Sequence, residues 1–461
     1  METAPTTAEA PLRSPLRDAF VVGGVATVVR LMWVLWAGRP PTGLSDPTIY
    51  LEAGASIAEG RGYTSLLGEA TAYYPPGYPF FVGGVTRIAV AVGLAEHVPA
   101  VLGVVQAFFG GVTAAAVLWL AWRLVQPWGT RSAQVAGVAA GLAVALWPNL
   151  VVHSGLVLSE TLFLMLYAVL LVGLMEWSSG SHDGRPAPLA TVVVVSAALA
   201  TWVRPQSTLL LVPAVAVAWL AGRLDRRRLM LGVAWLVLGV VVAVGPWTVR
   251  NAMVLDAFVP MSTNTGDNLC IGFNDDADGT FDITEQCATD GRYVDGPAVE
   301  VARDEELRAR AIDWILDHPG DVPQLAVRKL AATFLLDTDG LAAWESYGDD
   351  PHLGETRRAV ARWVANLAWW ALAAGAVAGG VMAARDVRTR VGALVLFAAA
   401  ATTIVTPALF FGDERFKMPI APVVAVLFGV AVARALRSRE VQGIRSARSD
   451  DDSEPTRETP V

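Results

Sequence analysis

The sequence predicts an all-α polytopic membrane protein with about ten transmembrane helices, juxtamembrane helices in its first outer loop and a mixed extracytoplasmic segment. Three observations predict it. The 461 residues are 54% hydrophobic and only 17% charged, with a mean hydropathy of +0.46. Apolar runs recur at lengths that cross roughly 30 Å of hydrocarbon. Between those runs the arginines gather in alternate loops, as cytoplasmic loops do under the positive-inside rule.

The spans fall at residues 19–37, 99–122, 133–148, 160–177, 189–203, 207–222, 229–246, 359–384, 391–411 and 418–436. Residues 1–18 lack an apolar core followed by a small-residue cleavage site, so the first run reads as an uncleaved span behind a disordered cytoplasmic N-terminus. The tail, 437–461, is charged and without aromatics, and cannot bury enough apolar area to offset its ordering entropy. A weaker run at 79–94 follows the helix-breaking "YYPPGYP" and contains Arg87. If it crossed, every later loop would change sides, so loop charge decides the matter. With 79–94 lying at the surface as a juxtamembrane or re-entrant helix and the N-terminus inside, Arg123, Arg131, Arg185, Arg223, Arg226 to Arg228, Arg385, Arg388, Arg390, Arg434, Arg437 and Arg439 all become cytoplasmic.

This topology places 38–98, 149–160, Arg204, 247–358 and 412–417 on the outer face of a plasma-membrane protein whose two termini are inside. The chain then divides into 19–246, with seven spans and the outer loop 38–98, an extracytoplasmic segment 247–358, and three C-terminal spans within 359–436. The formal net charge of −8 comes from acids gathered in one inter-span stretch and at the C-terminus, so it identifies no partner. Nothing suggests nucleic-acid binding. Lysine occurs only at Lys329 and Lys417, a bias toward arginine that, with abundant alanine, hints at a GC-rich bacterial origin.

Both cysteines, Cys270 and Cys287, lie in the outer segment, where an oxidising compartment permits a disulfide, and no histidine accompanies them to suggest zinc. Within the same segment, "NDDADGTFDITE" has calcium-loop spacing, with Asn274, Asp276, Asp278, Gly279 and Glu285 at loop positions one, three, five, six and twelve. Asparagine replaces the usual first aspartate and no amphipathic helix precedes it. An acidic turn or a looser divalent-metal site at Asp276, Asp278 and Glu285 fits better than an EF-hand. Neither G-x-G-x-x-G, a P-loop, H-E-x-x-H nor G-x-S-x-G occurs, which removes soluble nucleotide-binding, zincin and nucleophile-elbow readings. The runs at 137–141 and 375–379 read as glycine-rich packing faces.

The charged residues left at the outer face carry the chemistry. Asp46 opens "DPTIYLEAGASIAEG", where aspartate suits an N-cap, proline the first helical position, and Ile49, Ala53 and Ile57 one buried face. A capping carboxylate needs no catalytic duty, so both readings stand at this point. Glu160 lies at the mouth of the fourth span, where it caps that helix or serves a site. Arg204, Arg250, Arg415 and Lys417 sit at outer ends of spans. Singly, each is explained by snorkelling; together with the acids they suit a phosphate near the headgroups. Arg30, inside the first span, must face the bundle or snorkel.

The order of these parts resembles the GT-C glycosyltransferases: Asp46 with Tyr50 four residues on, "AEGRGY", "YYPPGYPFF", "LVLSETLF", "WVRPQS", "GPWTVRNAMVLDAFVPMSTNTGDNL" and "DERFKMPIAP". The likeness is to the bacterial family 39 type, related to protein O-mannosyltransferases and the lipid A aminoarabinose transferase. It implies a seven-span catalytic module with Asp46 in the first outer loop at the active site and Glu160 as a second acidic position. A polyprenyl-phosphate sugar is the implied donor, with Asp46 as general base on an acceptor hydroxyl and inversion at the anomeric carbon. In the aminoarabinose transferase a lysine before the paired prolines holds the lipid phosphate; here Tyr74 stands there, leaving that work to Arg204, Arg250, Arg415 and Lys417. The competing class, a lipid or glycan transporter, leads one to expect internal repeats, polar residues near mid-membrane and helices interrupted in matching halves, whereas no convincing repeat occurs and the candidate charges cluster at one face. A non-catalytic lipid-binding relative is the third reading, against which the retained Asp46 and Glu160 weigh.

Overall fold

The computed structural model describes residues 15–178, 186–210, 216, 219, 226–288 and 296–451. Among the described residues there are sixteen α-helices: α1 (Leu16–Ala37), α2 (Asp46–Ala58), α3 (Gly77–Ala91), α4 (Val98–Val125), α5 (Thr130–Leu146), α6 (Pro148–His153), α7 (Glu160–Ser178), α8 (Pro186–Val203), α9 (Arg226–Leu255), α10 (Thr265–Gly272), α11 (Pro297–Asp317), α12 (Val322–Phe334), α13 (Asp339–Trp344), α14 (Glu355–Arg385), α15 (Arg390–Leu409) and α16 (Ala421–Asp451). Among the described residues there are no strands, only two isolated bridges. Among the described residues, seven helices are long and apolar enough to cross a membrane, and Thr130–Leu146 and Thr191–Val203 are shorter apolar helices. The protein is a multi-pass membrane protein. The expected span 207–222 lies largely outside the described residues.

Small residues let these helices approach. A Cβ on Gly141 would sit 2.8 Å from Val22 and 3.1 Å from Leu118, and one on Gly379 would meet the Leu427 carbonyl at 1.8 Å. Both glycine runs therefore sit at helix crossings, where backbones meet with no room for a side chain. Arg30 fits the same logic. It is 1% exposed, and its guanidinium donates to the carbonyls of Val144 (2.9 Å) and Ala145 (3.2 Å). Those are orphan acceptors at the negative end of α5, so a cation that would be costly in a bilayer satisfies them. Gly110 leaves the space, since a Cβ there would lie 2.2 Å from the Arg30 Nε.

The long loops gather at one end of the bundle. Val34, near the end of α1, packs on Gly103, near the start of α4. The chain thus enters and leaves 38–97 at the same end, and α3 packs against α2, with Gly54 on Val82 and Gly83 on Ile57. Contacts between Trp344 and the Ala37 carbonyl (2.8 Å) and between Arg250 and the Thr71 carbonyl (2.8 Å) bring the later segments to the same place.

A disulfide joins Cys270 and Cys287, with Cα atoms 5.8 Å apart. The intervening acidic loop folds on itself: Asn274 is buried and donates to the Cys270 carbonyl (2.8 Å), while Asp278 accepts from the Thr280 amide and hydroxyl (both 2.7 Å). Asp276, Asp278 and Glu285 do not converge, and no group of three or more His, Cys, Asp or Glu among the described residues is placed to hold a metal ion. Below this loop, Lys329 is fully buried, its ammonium 3.2 Å from the centre of the Phe273 ring and without a hydrogen-bond acceptor. Burial pushes its pKa down to about 7 from 10.5.

Between those two values the unfolded chain holds a proton that the folded chain has released. Stability therefore rises with pH across that window, and the full penalty applies below it. Lys329→Met is expected to raise the melting temperature by a few degrees at pH 7 and by progressively less toward pH 10. Thermal melts at the two pH values check this; an equal gain at both would place the effect in packing rather than charge.

Candidate active site

A cleft of about 670 Å³ opens at the loop end, between α2, the start of α7, the end of α8, the loop after α9, and the end of α15. Asp46, Tyr50, Tyr74, Glu160, Arg204 and Arg415 all line it, whereas Arg250 and Lys417 do not.

Asp46 is the first helical residue of α2, one position later than the cap expected from sequence, and Ser45 is the flanking residue. No side chain caps this helix. The Asp46 carboxylate turns instead to two distant partners: the Tyr74 hydroxyl donates to Oδ1 at 2.6 Å, and Arg415 Nη1 bonds Oδ2 at 2.7 Å. The capping reading of Asp46 is thus corrected, because both oxygens are engaged by groups far along the chain. Tyr50 packs against Tyr74 in a tilted arrangement (centroids 4.9 Å apart) and lines the cleft. Its burial, reinforced by the charges of Asp46 and Glu160, raises the Tyr50 pKa well above the usual value, so the phenol stays neutral.

Arg415 bridges two carboxylates. Its Nε lies 3.3 Å from Asp413 Oδ2, and its amide donates to Asp413 Oδ1 (2.9 Å). Burial raises the Asp413 pKa to about 6 even though Arg415 pulls it down. Behind this pair lies a buried polar layer that the sequence reading did not anticipate. Lys417 bonds Asp337 Oδ1 at 3.1 Å, and Asp337 also accepts from Trp147 (2.6 Å) and Asn149 (2.9 Å). Glu414 accepts the amides of Thr338 and Asp339 at the start of α13. His153 Nε2 lies 3.3 Å from Asp339 Oδ2. Burial opposes charge on His153, but the Asp339 hydrogen bond and field outweigh it and raise the pKa. The signal for this layer was faint: acids at 337 and 339 inside the otherwise apolar "FLLDTDGLAAW".

Across the cleft, Glu160 is 1% exposed and forms an ion pair with Arg204. Ser159 Oγ accepts from Arg204 Nε and Nη2, both at 3.2 Å. Gln106 fixes the approach to Glu160 by donating to the carbonyls of Ser154 (3.2 Å) and Leu156 (2.7 Å). The second Glu160 oxygen is buried without a hydrogen-bond donor. Arg250 faces elsewhere: it donates to the carbonyls of Thr71 (2.8 Å) and Tyr63 (3.1 Å) and lies over Trp247. Those bonds tie the first loop to the end of α9, which explains an arginine there without any ligand. Leu209, Phe258, Leu409 and Phe410 give the cleft an apolar flank, and Asn264, Asn268, Asp304 and Glu305 give it a polar one.

Together, the spanning helices, the pair α2 and α3 and the loop-end cleft define, among the described residues, an all-helical membrane protein whose fold is similar to that of solved GT-C membrane glycosyltransferases. Comparison with solved structures rests on the Archaeoglobus fulgidus oligosaccharyltransferase. Its apo form superposes with a TM-score of 0.55 at 14% identity, over 97% of this chain and 53% of that one. The same enzyme, AglB, in complex with an inhibitory peptide and a dolichol-phosphate superposes at 0.54, again at 14% identity over 97% and 53% of the two chains. The chain therefore spans about half the length of that oligosaccharyltransferase. ArnT from Cupriavidus metallidurans bound to undecaprenyl phosphate aligns over 91% of this chain and 79% of that one at 16% identity, with a TM-score of 0.39, too low to carry an argument. No protein-family model matches the sequence, and no curated protein does. At such identities the likeness establishes the fold alone.

Proposed function

We propose that the protein is an integral-membrane inverting glycosyltransferase of the bacterial family 39 type. It moves a sugar from a polyprenyl-phosphate donor to an acceptor hydroxyl, on the extracytoplasmic face. The observation that carries this reading is a single cleft that joins the Asp46 carboxylate, three arginines (Arg204, Arg308 and Arg415) and an apolar flank at the end of a membrane bundle. A water-soluble donor would not need the flank; a lipid-linked one does.

In this reading the donor's chain rests along Leu209, Phe258, Leu409 and Phe410, and its phosphate lies toward Arg204 and Arg415. Tyr74 and Arg415 each take one direction on the Asp46 carboxylate, which has about four lone-pair sites and so retains capacity for an acceptor hydroxyl. The hydroxyl proton passes to Asp46 as its oxygen bonds the anomeric carbon. The bond from that carbon to the phosphate oxygen breaks, and the electron pair leaves on the lipid phosphate. A phosphate is a weak base, so arginine charge suffices where a poorer leaving group would need an acid. Direct displacement inverts the anomeric carbon. Tyr74 orients the base, and Glu160 orients Arg204.

Two experiments test this. Purified protein is expected to retain a polyprenyl-phosphate sugar detectable by mass spectrometry and, in vesicles, to transfer the sugar from such lipids. Failure to retain and to transfer any member of a polyprenyl-phosphate-sugar pool would sink the reading. Tyr74→Phe removes one charge-assisted hydrogen bond, and with it about 1.5–3 kcal/mol of orientation. A fall in kcat of tenfold or more is expected, with the donor KM little changed; a rise in donor KM alone would make Tyr74 a phosphate contact.

A further inference from the structure

A second concavity, of about 460 Å³, lies between the end of α1 and the start of α14. We propose that it is a binding site for a membrane lipid with an anionic phosphate headgroup, separate from any donor lipid. Its walls are Trp33, Trp36, Leu341, Trp344, Val360 and Val364, with Arg357 at the rim.

The chemistry of the walls selects a hydrocarbon chain. The indole of Trp344 donates to the Ala37 carbonyl (2.8 Å) and that of Trp33 to the Val152 carbonyl (3.3 Å). Both polar edges are therefore spent on backbone, and the rings turn apolar faces to the groove. The three tryptophans brace one another, with centroids 5.3 Å (Trp33 and Trp344), 5.4 Å (Trp33 and Trp36) and 5.9 Å (Trp36 and Trp344) apart. At the floor, Asp337 is already saturated by Trp147, Asn149 and Lys417. Away from the rim, the groove presents mostly apolar surface. It is also preformed, so a chain that enters it loses freedom without asking the protein to reorder.

Its position selects a lipid over a soluble apolar molecule. Both α1 and α14 are long and apolar enough to span a membrane, and the groove follows α14 from Arg357 to Ala365, about 12 Å along the helix axis. It therefore runs from the loop end toward mid-bilayer and opens sideways to the hydrocarbon, with Trp36 67% and Val360 58% exposed to it. Tryptophan at that depth marks the headgroup level.

Charge at the rim selects the headgroup. Two arginines stand there. Arg39 is committed, lying over the Trp344 ring (5.0 Å) and paired with Asp350 at 3.1 Å. Arg357 is exposed on the first turn of α14 and makes no ion pair among the described residues. A free guanidinium at headgroup level, above an apolar channel, is complementary to one phosphate above one chain.

The test uses the full-length protein in nanodiscs of phosphatidylcholine and phosphatidylglycerol at equal proportions, with retained lipids counted by native mass spectrometry after mild delipidation. The wild type is expected to retain phosphatidylglycerol at about one per chain. Leu341→Trp, which fills the groove from within, is expected to lose it. Val360→Trp, at an exposed position that folding tolerates, repeats the test should the buried variant misfold. Arg357→Gln is expected to keep a lipid but lose the preference for phosphatidylglycerol. Equal retention in the wild type and the filled variants overturns the proposal. So does a second copy of the chain that dissociates when the groove is filled, since the groove would then be a protein interface.

Discussion

Replacing Asp46 by Asn is expected to lower the rate of sugar transfer by about 100- to 10,000-fold, the range a positioned general base contributes. Asparagine preserves the shape of the side chain and can still accept from Tyr74, but it cannot take a proton from an acceptor hydroxyl. It also turns an N–H toward Arg415 unless the amide is reversed, in which case it faces Tyr74 instead. One of the two contacts at 2.6 and 2.7 Å is then lost. Arg415 nevertheless keeps Asp413 as a partner, so the fold and the cation at the cleft persist. The readouts are transfer in vesicles, retention of polyprenyl-phosphate lipid, and the melting temperature, with only the first expected to collapse. Full activity would sink the base assignment; parallel loss of lipid retention would recast Asp46 as a donor contact acting through Arg415.

That expectation rests on a pairing that sequence could not supply. The spans were legible because hydropathy over roughly 20 residues is a local property, and the loop end followed from arginine placement. Arg204 and Glu160 could both be assigned to one surface, though not to each other. Asp46 and Arg415, 369 positions apart, could be placed on the same side of the bundle by topology alone, while their contact depends on how α2 lies across the end. The cap error at Asp46 has the same origin. Local preference allows aspartate before proline to cap the helix, but a buried tyrosine and arginine compete for the same oxygens and win. Arg250 shows the converse case. A cation at a span end has two legitimate occupations, ligand or backbone carbonyl, and the Tyr63 and Thr71 carbonyls decide between them only in three dimensions. The buried layer of His153, Asp337 and Asp339 was least legible. Acids in an apolar stretch read as exposed until their partners, from α6 and from the segment after α15, are in view.

The ion pair across the cleft gives the second large effect, and it separates stability from chemistry. Glu160 is buried with one oxygen on Arg204 and the other without a donor. Arg204→Ala alone leaves that carboxylate uncompensated, which costs about 3–5 kcal/mol for a buried pair broken on one side. A marked loss of thermal stability and of activity is expected together, so the single variant cannot show what Arg204 does. The double variant Glu160→Gln with Arg204→Met removes both charges while keeping similar volume, and such replacements are often neutral or stabilising. Its melting temperature is expected to return to near the wild-type value. Its transfer rate is not, because no cation then faces the leaving phosphate on that wall; Arg415 stands across the cleft, and Arg308 is paired with Asp304. Recovery of stability without activity would support Arg204 as a group that touches the substrate. Recovery of both would reduce the pair to a structural clasp and shift the phosphate to Arg415.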